Sequence, residues 1–221
     1  MSQELWTAVD HFLASAVLPP DPALEAALAA NARAGLPAID VSPLQGKLLH
    51  LIARIHGAKN VLEIGTLGGY STIWMARALP ADGRLVTIEL DPGHAEVARA
   101  NVTVAGLEKI VDVRVGRALD VLPKIKSEKL APFDLVFIDA DKAGNPDYFN
   151  WALELTRPGS VIIVDNVVRK GSVLEADSSD AAVQGTRRLH AILGKESRVS
   201  ATVIQTVGTK GHDGFAIARV N

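Results

Sequence analysis

Residues 61–72 read VLEIGTLGGYST. A run that is apolar but for Glu63, Val61 to Ile64, leads into Gly65, Gly68 and Gly69 and then into a helix-forming segment. A short apolar run bounded by glycine reads as a buried strand, and glycine lets the backbone turn sharply and approach a ligand. The helix start that follows offers free N–H groups suited to an anion, and Ser71 adds a hydroxyl. The stretch therefore predicts a strand, a ligand-binding turn and a helix, the first half of a βα unit.

Outward from this stretch the alternation continues. Strands are expected at NVLEIG (60–65), RLVTIEL (84–90), VDVRVG (111–116), FDLVFIDA (133–140) and GSVIIVDN (159–166). Helices are expected at YSTIWMARAL (70–79), PGHAEVARANVTVAG (92–106), ALDVLPKIK (118–126), PDYFNWALELT (146–156) and over residues 180–194. Strands alternating with helices of this length form parallel βαβ units. The last two strands, RVSATVIQTV (198–207) and DGFAIARV (213–220), have no helix between them, so one must run antiparallel to its neighbour. The prediction is an α/β fold with a doubly wound, mostly parallel seven-stranded sheet and an antiparallel C-terminal strand.

Residues 1–57 read as helical. Leu5, Trp6, Val9, Phe12 and Leu13 recur at helical spacing. Asp21 and Pro22 can open a second helix, and Ser42 and Pro43 a third that runs to about His56. No linker or repeat divides the chain, so one domain is expected over 1–221, with 1–57 as its helical segment and 58–221 as its α/β core.

Composition bounds the function. The 221 residues are 48% hydrophobic, which supports a sizeable core. The net charge is −2, and no basic face stands out, which argues against nucleic acid as a partner. Cysteine is absent, so there is no disulfide framework and no thiolate metal site, as in many cytoplasmic proteins. No Lys or Arg precedes Arg33, so no secretory leader is expected, and no run of about 18 apolar residues predicts a membrane span.

Glu89 closes the strand after the glycine turn. An acid there can hold both ribose hydroxyls of a nucleoside, or it can be a solvated strand end. The glycine spacing is not GxGxxG, so the pyrophosphate fingerprint of a nicotinamide cofactor is not met. Glu63, just before the turn, would repel a diphosphate and attract an ammonium group. S-adenosylmethionine carries a nucleoside, an ammonium and a carboxylate but no phosphate, and it fits better. A nicotinamide-dependent oxidoreductase and a non-catalytic S-adenosylmethionine-binding protein are the alternatives.

Ligands of open α/β sheets bind beyond the carboxyl ends of the strands. Asp139 ends the fourth strand, and Asp165 and Asn166 end the fifth. If those strands are neighbours, three oxygen ligands converge there. Oxygen-only ligation favours Mg²⁺ over softer metals. Asp165-Asn166 also suit a plain turn after a strand. Lys142 is either a surface lysine or a base. Beside Mg²⁺ and a sulfonium it would feel two positive charges and yield its proton more readily.

These residues give the chain its resemblance. VSPLQGKLL (41–49), VLEIGTLGGYST, TIELDP (87–92), FDLVFIDADK (133–142) and GSVIIVDN together resemble the cation-dependent class I O-methyltransferases, the group of the catechol and caffeoyl-CoA enzymes, from about Val41 to the last strand. The resemblance implies that Val41, Glu63, Gly65, Thr66 and Ser71 line the methionine end of S-adenosylmethionine. Glu89 would hold the ribose, and Ala118 would border the adenine. Asp139, Asp165 and Asn166 match the metal ligands, Asp139 and Asp141 lie at the cofactor, and Lys142 matches the proposed base. It further implies a catechol-type acceptor, in the range of hydroxycinnamoyl and other phenolic acid derivatives, and a homodimer. Two departures concern the acceptor. Asp141 stands where the catechol enzyme has tryptophan. Arg169 and Lys170 stand where the plant caffeoyl-CoA enzymes have an aromatic residue and an asparagine; this basic pair could meet a carboxylate or a phosphate, or stand solvated in a loop. His190 lies in the last helix, either bordering the acceptor or purely structural.

Overall fold

In the computed structural model, which describes residues 2–221, three helices precede the sheet: α1 (Gln3–Val17), α2 (Pro22–Arg33) and α3 (Pro43–His56). Their starts follow from the local sequence. The Asp21 and Ser42 side chains accept from Leu24 N and Gln45 N, each with proline at the first helical position.

The core then alternates β1 (Asn60–Ile64), α4 (Tyr70–Ala76), β2 (Arg84–Glu89), α5 (Pro92–Val104), β3 (Val111–Val115), α6 (Ala118–Ser127), β4 (Phe133–Ile138), α7 (Asn145–Leu155) and β5 (Thr156–Asp165). After α8 (Ala181–Leu193) come β6 (Val199–Gly208) and β7 (Gly211–Val220). The seven strands lie in the order β3-β2-β1-β4-β5-β7-β6. β1 to β5 are mutually parallel, and β7 pairs antiparallel with both β5 and β6.

Period-two alternation divides the strands between two cores. Leu62, Ile64, Val136 and Ile138 face one layer of helices, while Val61, Leu135 and Phe137 face the other. β4 is buried from end to end, as a central parallel strand must be. Burying each such side chain contributes about 1.5–3 kcal/mol.

Several boundaries differ from the sequence reading, and two of them have a clear cause in the sheet. β5 begins at Thr156 rather than at Gly159, because Phe133 pairs with Thr156 before the register shifts. The last two strands are joined by Thr209-Lys210 alone, with Gly208 paired to Gly211, so the connection expected over residues 208–212 is a tight hairpin. Two short 3₁₀ turns, Lys142–Gly144 and Arg169–Leu174, also follow β4 and β5. Among the described residues, no helix is long and apolar enough to cross a membrane.

From β1 the chain winds outward through β2 and β3, then returns to the other side of β1 for β4 and β5. The crevice where the winding reverses, beyond the carboxyl ends of β1 and β4, is the expected ligand position.

Candidate active site

A cavity of about 1010 Å³ opens at this crevice. Small-molecule pockets usually span about 300–1,000 Å³, so two small ligands can lie here side by side. Every strand from β1 to β5 contributes. Gly65, Thr66 and Leu67 come from the end of β1, Glu89 from β2, Arg117 and Ala118 from the end of β3, Asp139 to Gly144 from β4, and Asn166 and Arg169 from β5. Val41, Ser71 and Tyr148 also line it.

The glycine turn is required sterically. Gly65 has φ +99°, and a Cβ there would overlap the Asp139 carbonyl oxygen. That close approach holds the ends of β1 and β4 together. Glu89 is no solvated strand end: it is 8% exposed, and its Oε2 accepts from Thr66 N at 3.1 Å and Leu67 N at 2.7 Å. It therefore braces the turn while facing the cavity.

Glu63 points to the opposite face of β1 from Leu62 and lies below the cavity floor, fully buried. Ser71 Oγ donates to it at 2.5 Å and Thr87 Oγ1 at 2.7 Å, with Thr72 Oγ1 a third donor. Thr87 has one proton and gives it to Glu63, so in the 2.5 Å contact between Thr66 and Thr87 the Thr66 hydroxyl is the donor. Burial pushes Glu63 up to about 7 against the pull of the three hydroxyls. Of the residues assigned to the methionine end, Val41, Gly65, Thr66 and Ser71 reach the cavity wall, and Glu63 acts on it through Ser71.

The acid edge assembles as the strand order requires. β4 and β5 are neighbours with Ile138 opposite Val164, so Asp139 and Asp165 leave the sheet side by side. Lys142 is 9% exposed, not a surface lysine, and its Nζ lies 2.5 Å from Asp139 Oδ1. Asp165 is 4% exposed and sits just behind the wall, its Oδ2 accepting from Gln45 Nε2 at 2.7 Å and its Oδ1 from Asn166 N at 2.8 Å. Burial and the Asp139 carboxylate push Asp165 well above the usual carboxylate range, with Lys142 opposing. Asn166 itself reaches the cavity from a left-handed backbone, φ +55°, which asparagine tolerates.

The Lys142 turn is held from three sides. Asp141 Oδ2 accepts from Gly144 N at 3.0 Å, and Tyr148 Oη donates to Asp141 Oδ1. Gly185 of α8 has no room for a Cβ against the Lys142 carbonyl, so α8 packs directly on the turn.

Sequence reasoning missed several residues. Gln45 lies within VSPLQGKLL, yet nothing in its spacing shows that α3 would bring it to Asp165. Tyr148 and Asp40 carry no periodic signal either. Asp40 faces the cavity and is tied to the glycine turn by Asn31 and Asn101: Asn31 Nδ2 donates to Asp40, and Asn101 Nδ2 donates to Asn31 Oδ1 and to the Gly68 carbonyl. His190 does not line the cavity, and burial beside Arg187 lowers its pKa.

The sequence profile of the O-methyltransferase family matches residues 16–219. The chain belongs to this O-methyltransferase family. It is 52% identical over 220 residues to a catechol O-methyltransferase of Niastella koreensis, covering 100% of both chains. It is 54% identical to a catechol O-methyltransferase of Mycobacterium tuberculosis, over 96% of this chain and 94% of the relative. The O-methyltransferase of Bacillus cereus, solved in complex with SAH, superposes with a TM-score of 0.98 at 56% identity over 100% of both chains. Membership sets aside the nicotinamide oxidoreductase reading. For an O-methyltransferase, a cavity wide enough for donor and acceptor together is what group transfer between two small molecules needs.

Proposed function

We propose that this O-methyltransferase moves a methyl group from S-adenosylmethionine to one hydroxyl of a catechol-type acceptor, in the range of phenolic acid derivatives, with Mg²⁺ or a similar divalent cation. The observation that carries the reading is one cavity joining the braced glycine turn to Asp139, Lys142 and Asn166. S-adenosylmethionine and SAH named with solved relatives support the donor, and the catechol enzymes among the relatives support the acceptor.

The donor set suits a hard cation. Asp139, Asp165 and Asn166 offer oxygen ligands from two adjacent strand ends, with Lys142 paired to Asp139. Asp139, Asp165 and Asn166 would hold the cation, which would supply Lewis acidity that makes the acceptor hydroxyls more acidic, as it does for water. Lys142 would take the proton from the reacting hydroxyl. Gly65, Thr66, Ser71 and Glu89, with Val41, Ala118 and Asp141 around them, would hold the donor so that its methyl faces the acceptor oxygen in line with the sulfur. Such alignment contributes about 7–11 kcal/mol to a bimolecular reaction.

The test is SAH release from S-adenosylmethionine with catechols and monophenols, with Mg²⁺ and with EDTA. Turnover of catechols alone, lost in EDTA, is expected. Monophenol turnover surviving EDTA would remove the metal from the reaction.

The chain is further proposed to act as one methyltransferase unit whose first 57 residues wall the cavity at Asp40 and Val41, and to form a homodimer. α1 contains no buried residue; Phe12 is 69% and Val17 62% exposed, and Val203, Ile204 and Val207 on β6 extend the apolar surface. Sedimentation equilibrium should return twice the chain mass, and Phe12→Lys should shift it toward one. A monomer in the unmodified protein would end this proposal.

A further inference from the structure

β5 ends in a segment of unusual backbone. Arg169, Lys170 and Gly171 take φ of +56°, +55° and +93° in succession. For the first two this costs free energy, since non-glycine side chains clash in the left-handed region. The segment is held by Asp213 of β7, whose Oδ1 accepts from Val168 N, Arg169 N and Gly214 N, each at 3.0 Å. The result separates a basic pair adjacent in sequence: Lys170 is exposed, whereas Arg169 lines the same cavity as Asn166 and Lys142.

Arg169 has no carboxylate within ion-pair distance among the described residues, and its buried Nε has no hydrogen-bond partner there. The cavity's own acids are committed elsewhere. Asp139 pairs with Lys142, Asp141 with Tyr148 and Gly144 N, Glu89 with the glycine turn, and Asp40 with Asn31. Arg117 also lines the cavity, but from the end of β3, on the far side of the sheet from β5. A guanidinium held by a strained backbone against an apolar wall, with donors unused, is a half-built ion pair.

We propose that Arg169 is the acceptor-recognition residue, and that it selects catechols carrying a carboxylate on the ring or on a short side chain. This rests on the methyl-transfer reading above. A guanidinium and a carboxylate match in planar, two-bond geometry, and the Coulomb attraction is strengthened away from water. An ammonium-bearing catechol meets repulsion at the same point. Arg169, Asn166 and Lys142 line the same cavity, so the carboxylate and the reacting ring belong to one small molecule.

The test uses three acceptors of nearly one shape: 3,4-dihydroxybenzoate, 3,4-dihydroxybenzyl alcohol and 3,4-dihydroxybenzylamine. The enzyme should prefer the benzoate to the alcohol by about tenfold or more in kcat/KM, with the amine last. Arg169→Gln should lower the benzoate-to-alcohol ratio by about the same factor, and Arg169→Glu should raise the amine above the benzoate. Arg169→Asn, which suits a left-handed backbone, should give the same loss of ratio and so separates charge from strain. Parallel losses on all three acceptors, or no preference in the unmodified enzyme, would overturn the Arg169 assignment and leave methyl transfer standing. No turnover of any of the three by the unmodified enzyme would overturn both.

Discussion

Asp139→Ala should lower cation-dependent turnover by about 10³-fold or more, because a metal bound at the reacting oxygens supplies several kcal/mol and each 1.36 kcal/mol is tenfold in rate. The side chain ends β4 beside Asp165 and carries the ion pair to Lys142. Its loss removes one of the three proposed oxygen ligands and the carboxylate that pairs with Lys142. Activity alone would not separate a lost metal from a disturbed Lys142. A second readout does: a ligand at a hundred times its dissociation constant stabilises a protein by about 2.7 kcal/mol, so Mg²⁺ should raise the Tm of the unmodified protein by several degrees. The variant should show no Mg²⁺-dependent rise. Mg²⁺-stimulated turnover in Asp139→Ala would refute the metal site.

Lys142→Ala is the second large effect. General bases contribute about 10²–10⁴-fold, and kcat should fall within that range with little change in SAH affinity, since no donor-binding role is assigned to this side chain. The pH profile distinguishes a proton role from packing. Without a base the hydroxyl must give its proton to solvent, so the variant's rate should keep climbing with pH beyond the point where the unmodified enzyme levels off. A uniform loss at all pH values would assign Lys142 to structure instead. Because Lys142 is buried and held by Asp139 and the packing of Gly185, Lys142→Met is the conservative companion that keeps the stem in place.

Much of this site is legible in the sequence. Alternating strand and helix patterns located all seven strands, and the Asp21 and Ser42 caps stand where residue type and the following proline put them. Asp139 and Asp165 were readable as strand-end acids because β-strands of open α/β sheets deliver their last residues to one edge. Gly65 was readable as a turn residue, although its reason, the Asp139 carbonyl lying where a Cβ would be, belongs to another strand.

Local sequence determined which elements form and in what order, which faces are apolar and which residue types arrive at the sheet's carboxyl edge, because caps, periodicity and turn chemistry act over a few residues. Tertiary structure alone decided what those residues meet. It placed Gln45 on Asp165 across 120 positions, sank Glu63 beneath the floor with three hydroxyls, and buried Lys142 under α8. It also turned Arg169 into the cavity and Lys170 out of it, through a backbone held by Asp213 from a strand that comes more than forty residues later. Those outcomes depend on strand order and helix packing, which bring together groups that no short-range pattern connects.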